Sequence, residues 1–155
     1  MPDADKVIDF RCDAGRVETD PNRSHCTGRV IVRRPDVLLC CDTMVGDADK
    51  DWQWKSMTCS GNVRVQHGSE WVWAKKAVFN PTSSAITLTG DPVVQRGRSV
   101  IAGDVVTVLI ERDQAMVERP IGRVQNAQTE VRPLPEFTRI SPLPEKCPLP
   151  AGPKL

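Results

Sequence analysis

Three times in this chain a short step ending in a hydroxyl residue and a glycine leads into a valine-rich run. The copies are Cys26-Thr27-Gly28-Arg29-Val30, Cys59-Ser60-Gly61-Asn62-Val63 and Leu88-Thr89-Gly90-Asp91-Pro92-Val93. The agreement continues at fixed distances beyond each glycine. Seven residues on stands a turn former (Pro35, Gly68, Gly97), and ten on an apolar residue (Leu38, Trp71, Val100). Thirteen on stands a small residue (Cys41, Ala74, Gly103), each followed by a polar one (Asp42, Lys75, Asp104). The steps between glycines are 33 residues (28 to 61) and 29 residues (61 to 90). A partial copy precedes them, because Cys12-Asp13 followed by Cys26-Thr27-Gly28 resembles Cys41-Asp42 followed by Cys59-Ser60-Gly61. Such a period marks a repeated supersecondary unit. Each unit reads as a hairpin followed by a longer strand that turns back. A single hairpin cannot bury its apolar face, so the copies must stack.

Local composition agrees. Short β-branched runs (Val30-Ile31-Val32, Val63-Arg64-Val65, Val93-Val94, Val105-Val106, Val108-Leu109-Ile110) alternate with turn formers such as Asp20-Pro21-Asn22, Gly46-Asp47, His67-Gly68, Asn80-Pro81 and Arg96-Gly97. That pattern reads as strands and hairpins. Only Glu111–Glu118 and Trp71–Phe79 invite a helix, and the second carries Trp-x-Trp alternation, which has period two. The expected class is all-β. The last 25 residues differ: from Val131 to Leu155 they hold seven of the thirteen prolines. Proline removes a donor and fixes φ, so 129–155 is expected to be a disordered or polyproline-like tail behind one folded domain over 6–128.

Composition excludes several functions. Lys and Arg number 21 against 20 for Asp and Glu, a net charge of +1, so nucleic acid is not an expected partner. No stretch approaches the roughly 18 uninterrupted apolar residues of a membrane-spanning helix. The start, Met1-Pro2-Asp3-Ala4-Asp5-Lys6, is polar and reads as no signal peptide in the chain as given. With two His, no Tyr, and no nucleophile-elbow, phosphate-loop or metalloprotease motif, no catalytic residue, cofactor or metal is expected. Asp42 and Asp104 share one repeat position, which suits turn or ladder residues better than an acid and base pair.

The units resemble the OstA-like domain of periplasmic lipopolysaccharide-transport proteins, the LptA family. The likeness is carried by Cys59-Ser60-Gly61-Asn62-Val63-Arg64-Val65-Gln66 and by Ala77-Val78-Phe79-Asn80-Pro81-Thr82. It continues through Ile86-Thr87-Leu88-Thr89-Gly90-Asp91-Pro92-Val93-Val94-Gln95 and Val100-Ile101-Ala102-Gly103-Asp104-Val105-Val106. It covers about residues 26–118. The resemblance implies a β-jellyroll of stacked antiparallel strands with an open, V-shaped cross-section. It implies lipopolysaccharide as ligand, held by its lipid A acyl chains, in the periplasm. It further implies partners that are like jellyroll domains, joined edge strand to edge strand into a bridge toward the outer membrane; a homo-oligomer would use the same edges.

Under that reading the lining is expected from Val63, Val65, Trp71, Trp73, Phe79, Ile86, Leu88, Val94, Ile101, Val106 and Val108, as a set. Trp71 and Trp73 lie two apart and share a face, as do Trp52 and Trp54, either in the core or at the groove. Arg64, Lys75, Lys76, Arg96 and Arg98 either meet lipid phosphates at a rim or form a solvated face. The six cysteines allow bridges within hairpins (Cys12–Cys26, Cys41–Cys59), bridges between equivalent positions (Cys26–Cys59, Cys12–Cys41), or buried thiols. The rival function is a self-assembling β-repeat scaffold without lipid cargo. That rival demands a dry, closed core where a carrier demands an open apolar cleft. A third reading is an interaction domain that presents its Pro-rich tail to a partner.

Overall fold

The computed structural model describes residues 8–124 and 143–153. Twelve strands run in chain order: β1 (Asp9–Arg11), β2 (Ala14–Glu18), β3 (Arg23–Arg34), β4 (Val37–Ala48), β5 (Trp54–His67), β6 (Glu70–Asn80), β7 (Ala85–Thr89), β8 (Val93–Arg96), β9 (Ser99–Ala102), β10 (Val105–Leu109), β11 (Gln114–Glu118) and β12 (Ile121–Arg123). A 3-10 turn at Ile110–Arg112 joins β10 to β11. All belong to one antiparallel sheet whose main path is β1-β3-β4-β5-β6-β7-β10-β11. The segment Trp71–Phe79, ambiguous by composition, is strand, as its period-two alternation requires.

The sheet bends into two layers because its long strands change partners midway. Strand β3 pairs with β2 through 23–27 and with β1 through 31–33. Strand β6 pairs with β8 through 70–73 and with β7 through 76–80. The first layer therefore holds β2, β7, β10, β11 and one half of each long strand; the second holds β1, β8, β9, β12 and the other halves. This is an open jellyroll.

The repeated glycine steps are the corners between the layers. Ladder register slips between Thr27 and Val30, between Cys40 and Thr43, and between Ser60 and Val63. At these slips Gly61 has φ +83° and Asn62 +47°, a left-handed pair that bends a strand sharply. A Cβ on Gly61 would also lie 2.5 Å from the Asp42 carboxylate, so no other residue fits there. Gly28 and Gly90 repeat the conformation, at φ +82° and +80°. Each corner is closed by one polar pair. Arg29 Nη2 donates to Asp13 at 2.8 Å, and Asn62 Nδ2 to Asp42 at 3.0 Å. Lys75 Nζ meets Asp91 at 3.0 Å, and Arg119 pairs with Asp104. The polar residue that follows each small repeat position is thus a corner clasp.

Of the expected tail, 129–142 and 154–155 lie outside the described residues. Its described part, 143–153, forms no strand or α-helix, in keeping with its prolines. It lies as a strap on the outer face of the second layer. A disulfide joins Cys147 to Cys40, and Leu149 is buried with Ile31, Leu38 and Cys40. Arg64 donates to the Leu149 carbonyl at 3.0 Å, and the Trp73 indole N–H to that of Pro150 at 2.9 Å.

Candidate functional site

Strand alternation decides which side chains face the space between the layers. On the second layer, Val63 stands opposite Ala74 and Val65 opposite Val72, all pointing inward. On the first layer, Phe79 pairs with Ile86, and Ala77 with Leu88. Val106 then lies opposite Leu88, and Val108 opposite Ile86. Val94 sits beside Val72 and carries Ile101 on its other flank. Nine of the eleven expected lining residues therefore share the inner face: Val63, Val65, Phe79, Ile86, Leu88, Val94, Ile101, Val106 and Val108.

Trp71 and Trp73 do not join them. The alternation that turns Val72 inward turns both rings outward, beside Gln95 and Val93. There they meet edge to face at 6.1 Å, and Trp73 is roofed by the strap, where a Cβ on Gly152 would lie 2.9 Å from its ring. Both neighbouring faces are apolar here, so hydrophobicity alone does not mark the inward one.

Between the layers lie two apolar pockets that share lining residues. Toward the N-terminal edge the larger is an open cleft of about 310 Å³, bounded by Ile8, Phe10 and Cys12 on one side. Val17, Cys26, Met44, Trp54 and Met57 bound the other. This size falls in the range of roughly 300–1,000 Å³ usual for small-molecule sites. Trp54 stacks over Gly46, whose missing side chain makes the room, because a Cβ there would lie 2.6 Å from the ring. Phe10, Val17 and Trp54 are exposed, at 55%, 66% and 37%. A smaller pocket of about 30 Å³ shares Ile8, Met44 and Met57 with the cleft and is lined further by Leu39, Phe79, Ile86 and Ile110. The composition of the sequence offered no signal for Phe10, Met44 or Met57 as lining, since they fall outside the best-matching repeats.

Farther along, polar contacts tie the two layers together. Arg34, nearly buried, lies 5.9 Å above the Phe79 ring and donates to Ser84 Oγ at 3.4 Å. Ser84 in turn donates to Glu111 at 3.1 Å, and His67 Nδ1 approaches Asp113 at 3.7 Å. Polar contacts thus bridge the layers beside β7 and β10, and the larger cleft lies beside β1 and β2. Among the described residues, β1, β2, β11 and β12 each pair on one side only, which leaves free edges at both ends of the sheet. The basic residues weighed as a rim are mostly engaged elsewhere: Arg64 with the strap, Lys75 with Asp91, and Arg96 with Glu70 at 3.6 Å.

An all-β jellyroll with an apolar interior and free strands at both ends of its sheet is the class of fold that this chain adopts. The sequence model of the family described as "LptA/(LptD N-terminal domain) LPS transport protein" matches residues 11–114, and the chain belongs to that family. Among solved structures it is similar to LptH from Pseudomonas aeruginosa, described as the LptA-homologous periplasmic component of the lipopolysaccharide transport device. The TM-score is 0.69 at 13% identity, over 79% of this chain and 99% of that one, a likeness of fold. Comparison with curated proteins yields no match.

Proposed function

We propose that this chain binds lipopolysaccharide by its lipid A acyl chains and carries it through the periplasm toward the outer membrane, as one unit of a protein bridge. The observation that carries the reading is the open cleft of about 310 Å³ walled by Phe10, Met44, Trp54 and Met57, of which Met44 and Met57 also belong to the inner apolar core. Acyl chains need an apolar wall and no specific partner, since about 25 cal/mol accrues per Å² of any apolar surface buried. An open cleft is what a carrier needs and a dry scaffold core lacks, so the cargo-free scaffold is the weaker reading. The free edges of β1, β2, β11 and β12 suit strand addition by like domains or by further copies of this chain. Family membership supports the transport role, and the periplasmic setting follows from the same kinship. Movement along the bridge is assigned in this reading to an energy source outside this domain.

The test is a photo-crosslinking amino acid at Phe10 or Met44, with Leu38 and Trp73 on the outer face as controls. Adducts with lipopolysaccharide from the cleft positions alone, competed by lipid A, are expected. Equal labelling of both faces, or none by a folded protein, would remove the cargo claim and leave the scaffold.

A further inference from the structure

We propose that Cys41 and Cys59 close a third intrachain disulfide, the counterpart at the second corner of the Cys12–Cys26 bridge at the first. The two corners place their cysteines identically in the ladder. At the first, Cys12 precedes the clasp residue Asp13, Ala14 stands opposite Thr27, and Cys26 precedes Thr27. At the second, Cys41 precedes the clasp residue Asp42, Thr43 stands opposite Ser60, and Cys59 precedes Ser60. The sulfurs sit alike as well, with Cys12 Sγ 3.3 Å from the carbonyl of Ala14 and Cys41 Sγ 3.2 Å from that of Thr43. The first pair is bonded across a Cα–Cα distance of 5.7 Å. The second carries free thiols, both buried and side by side.

The other corners show that this position needs a contact, not a cysteine. The third fills it with Ala74 and Leu88. The fourth fills it with Gly103 and Val117, where a Cβ on the glycine would lie 2.5 Å from the Val117 side chain. A small residue facing a large one suffices at both. Two cysteines facing each other appear only at the first two corners, and one of these pairs is bridged.

Burial sets how the bond forms. Cys41 and Cys59 are 5% and 3% exposed, which closes them to an oxidant once the corner is folded. The hydrogen bond with Cys41, and then burial, push the Cys59 thiol well above its ordinary pKa, so the thiolate that attacks a disulfide is scarce in the folded chain. The bond therefore forms before β4 and β5 close on each other. One thiolate attacks a donor disulfide of a thiol–disulfide oxidoreductase to give a mixed disulfide. The second thiolate displaces the donor, which takes up the two electrons and, by way of solvent, the two cysteine protons, and leaves as a dithiol.

The oxidant is supplied by the periplasmic setting proposed above, so the experiment has two arms. The full chain, exported to the periplasm and purified without reductant, is denatured, alkylated and mapped by mass spectrometry. The same chain is also refolded from its reduced, denatured state in a glutathione redox buffer. Both arms are expected to show no alkylated cysteine and a peptide linked through Cys41 and Cys59. If only the exported arm shows six free thiols, the compartment is wrong and the refolding arm still decides the bond. Alkylation of Cys41 and Cys59 in refolded molecules that contain the Cys12–Cys26 link would overturn the proposal.

Discussion

On the inner side of the bent sheet, nineteen buried apolar residues run together from Cys26 to Ile110. On the outer side the corresponding cluster has four, Ile31, Leu38, Cys40 and Leu149, and the last of these comes from the strap. Both faces begin as similar valine- and leucine-rich strand sequence, yet they reach low exposure by different routes. The inner face covers itself by folding one layer over the other. The outer face is covered by a separate segment, pinned by a disulfide at Cys147 and by three hydrogen bonds to its carbonyls, from Arg11 to Leu143, Arg64 to Leu149 and Trp73 to Pro150. The difference separates two jobs. A face closed by its own bend leaves an opening where the layers part, which is where the cleft lies.

The largest test of this contrast removes one leucine from each face. Leu88 is fully buried between the layers. Leu88→Ala should cost about 2–5 kcal/mol, because Phe79, Val106 and their neighbours are held by their ladders and cannot collapse into the hole. Leu149→Ala should cost about 2 kcal/mol or less, since the strap belongs to no ladder and can shift to fill the gap. Urea unfolding of both variants reads the difference. Equal costs would mean that strap and sheet form a single core and that the contrast of faces is false.

A second test frees the strap. Cys40→Ala/Cys147→Ala opens a loop of 107 residues while leaving Cys12–Cys26 in place. A loss of about 2–4 kcal/mol is expected. Trp73 emission should also shift red as its indole N–H exchanges the Pro150 carbonyl for water. Lipid binding should survive, because the strap lies across the sheet from the cleft. Lost binding with an intact fold would tie the outer face to cargo and would reopen the case for Trp71 and Trp73 as lining.

The faces also show how far sequence reading reaches. Strands, corners and the inward set from Val63 to Val108 were legible, because glycine steps recur at constant offsets and alternation has a fixed period. The two tryptophans were misplaced because Trp71, Val72 and Trp73 are all apolar, and period-two alternation carries no direction when both faces bury apolar groups. The Cys40–Cys147 bridge was outside both pairing schemes, which followed the repeat, whereas this bond joins the repeat to the tail. The cleft residues Phe10 and Met44 were missed because Phe10 precedes the partial first copy and Met44 lies beyond the last matching position of its unit.

The smallest expected effect lies at the first corner, where the layers meet and the Asp13–Arg29 clasp is exposed. The hydrogen bond from Arg29, with the charges of Arg29 and Arg11, outweighs slight desolvation and holds the Asp13 carboxyl below its ordinary value of 3.8. A carboxyl lowered by folding stabilises the fold at pH values above 3.8, and that contribution fades as pH falls through the lower folded value. The pair is fully solvated, so water and salt screen it and the change in stability should be slight. The clean readout is the Asp13 carboxyl itself, followed by NMR as pH is lowered. Arg29→Gln should raise its midpoint toward the ordinary value while leaving the Gly28 corner folded, because the Asp13 amide still donates to the Gly28 carbonyl at 2.9 Å. An unmoved midpoint would show that the clasp is not populated in solution. The bend at this corner would then rest on backbone geometry and the Cys12–Cys26 bridge alone.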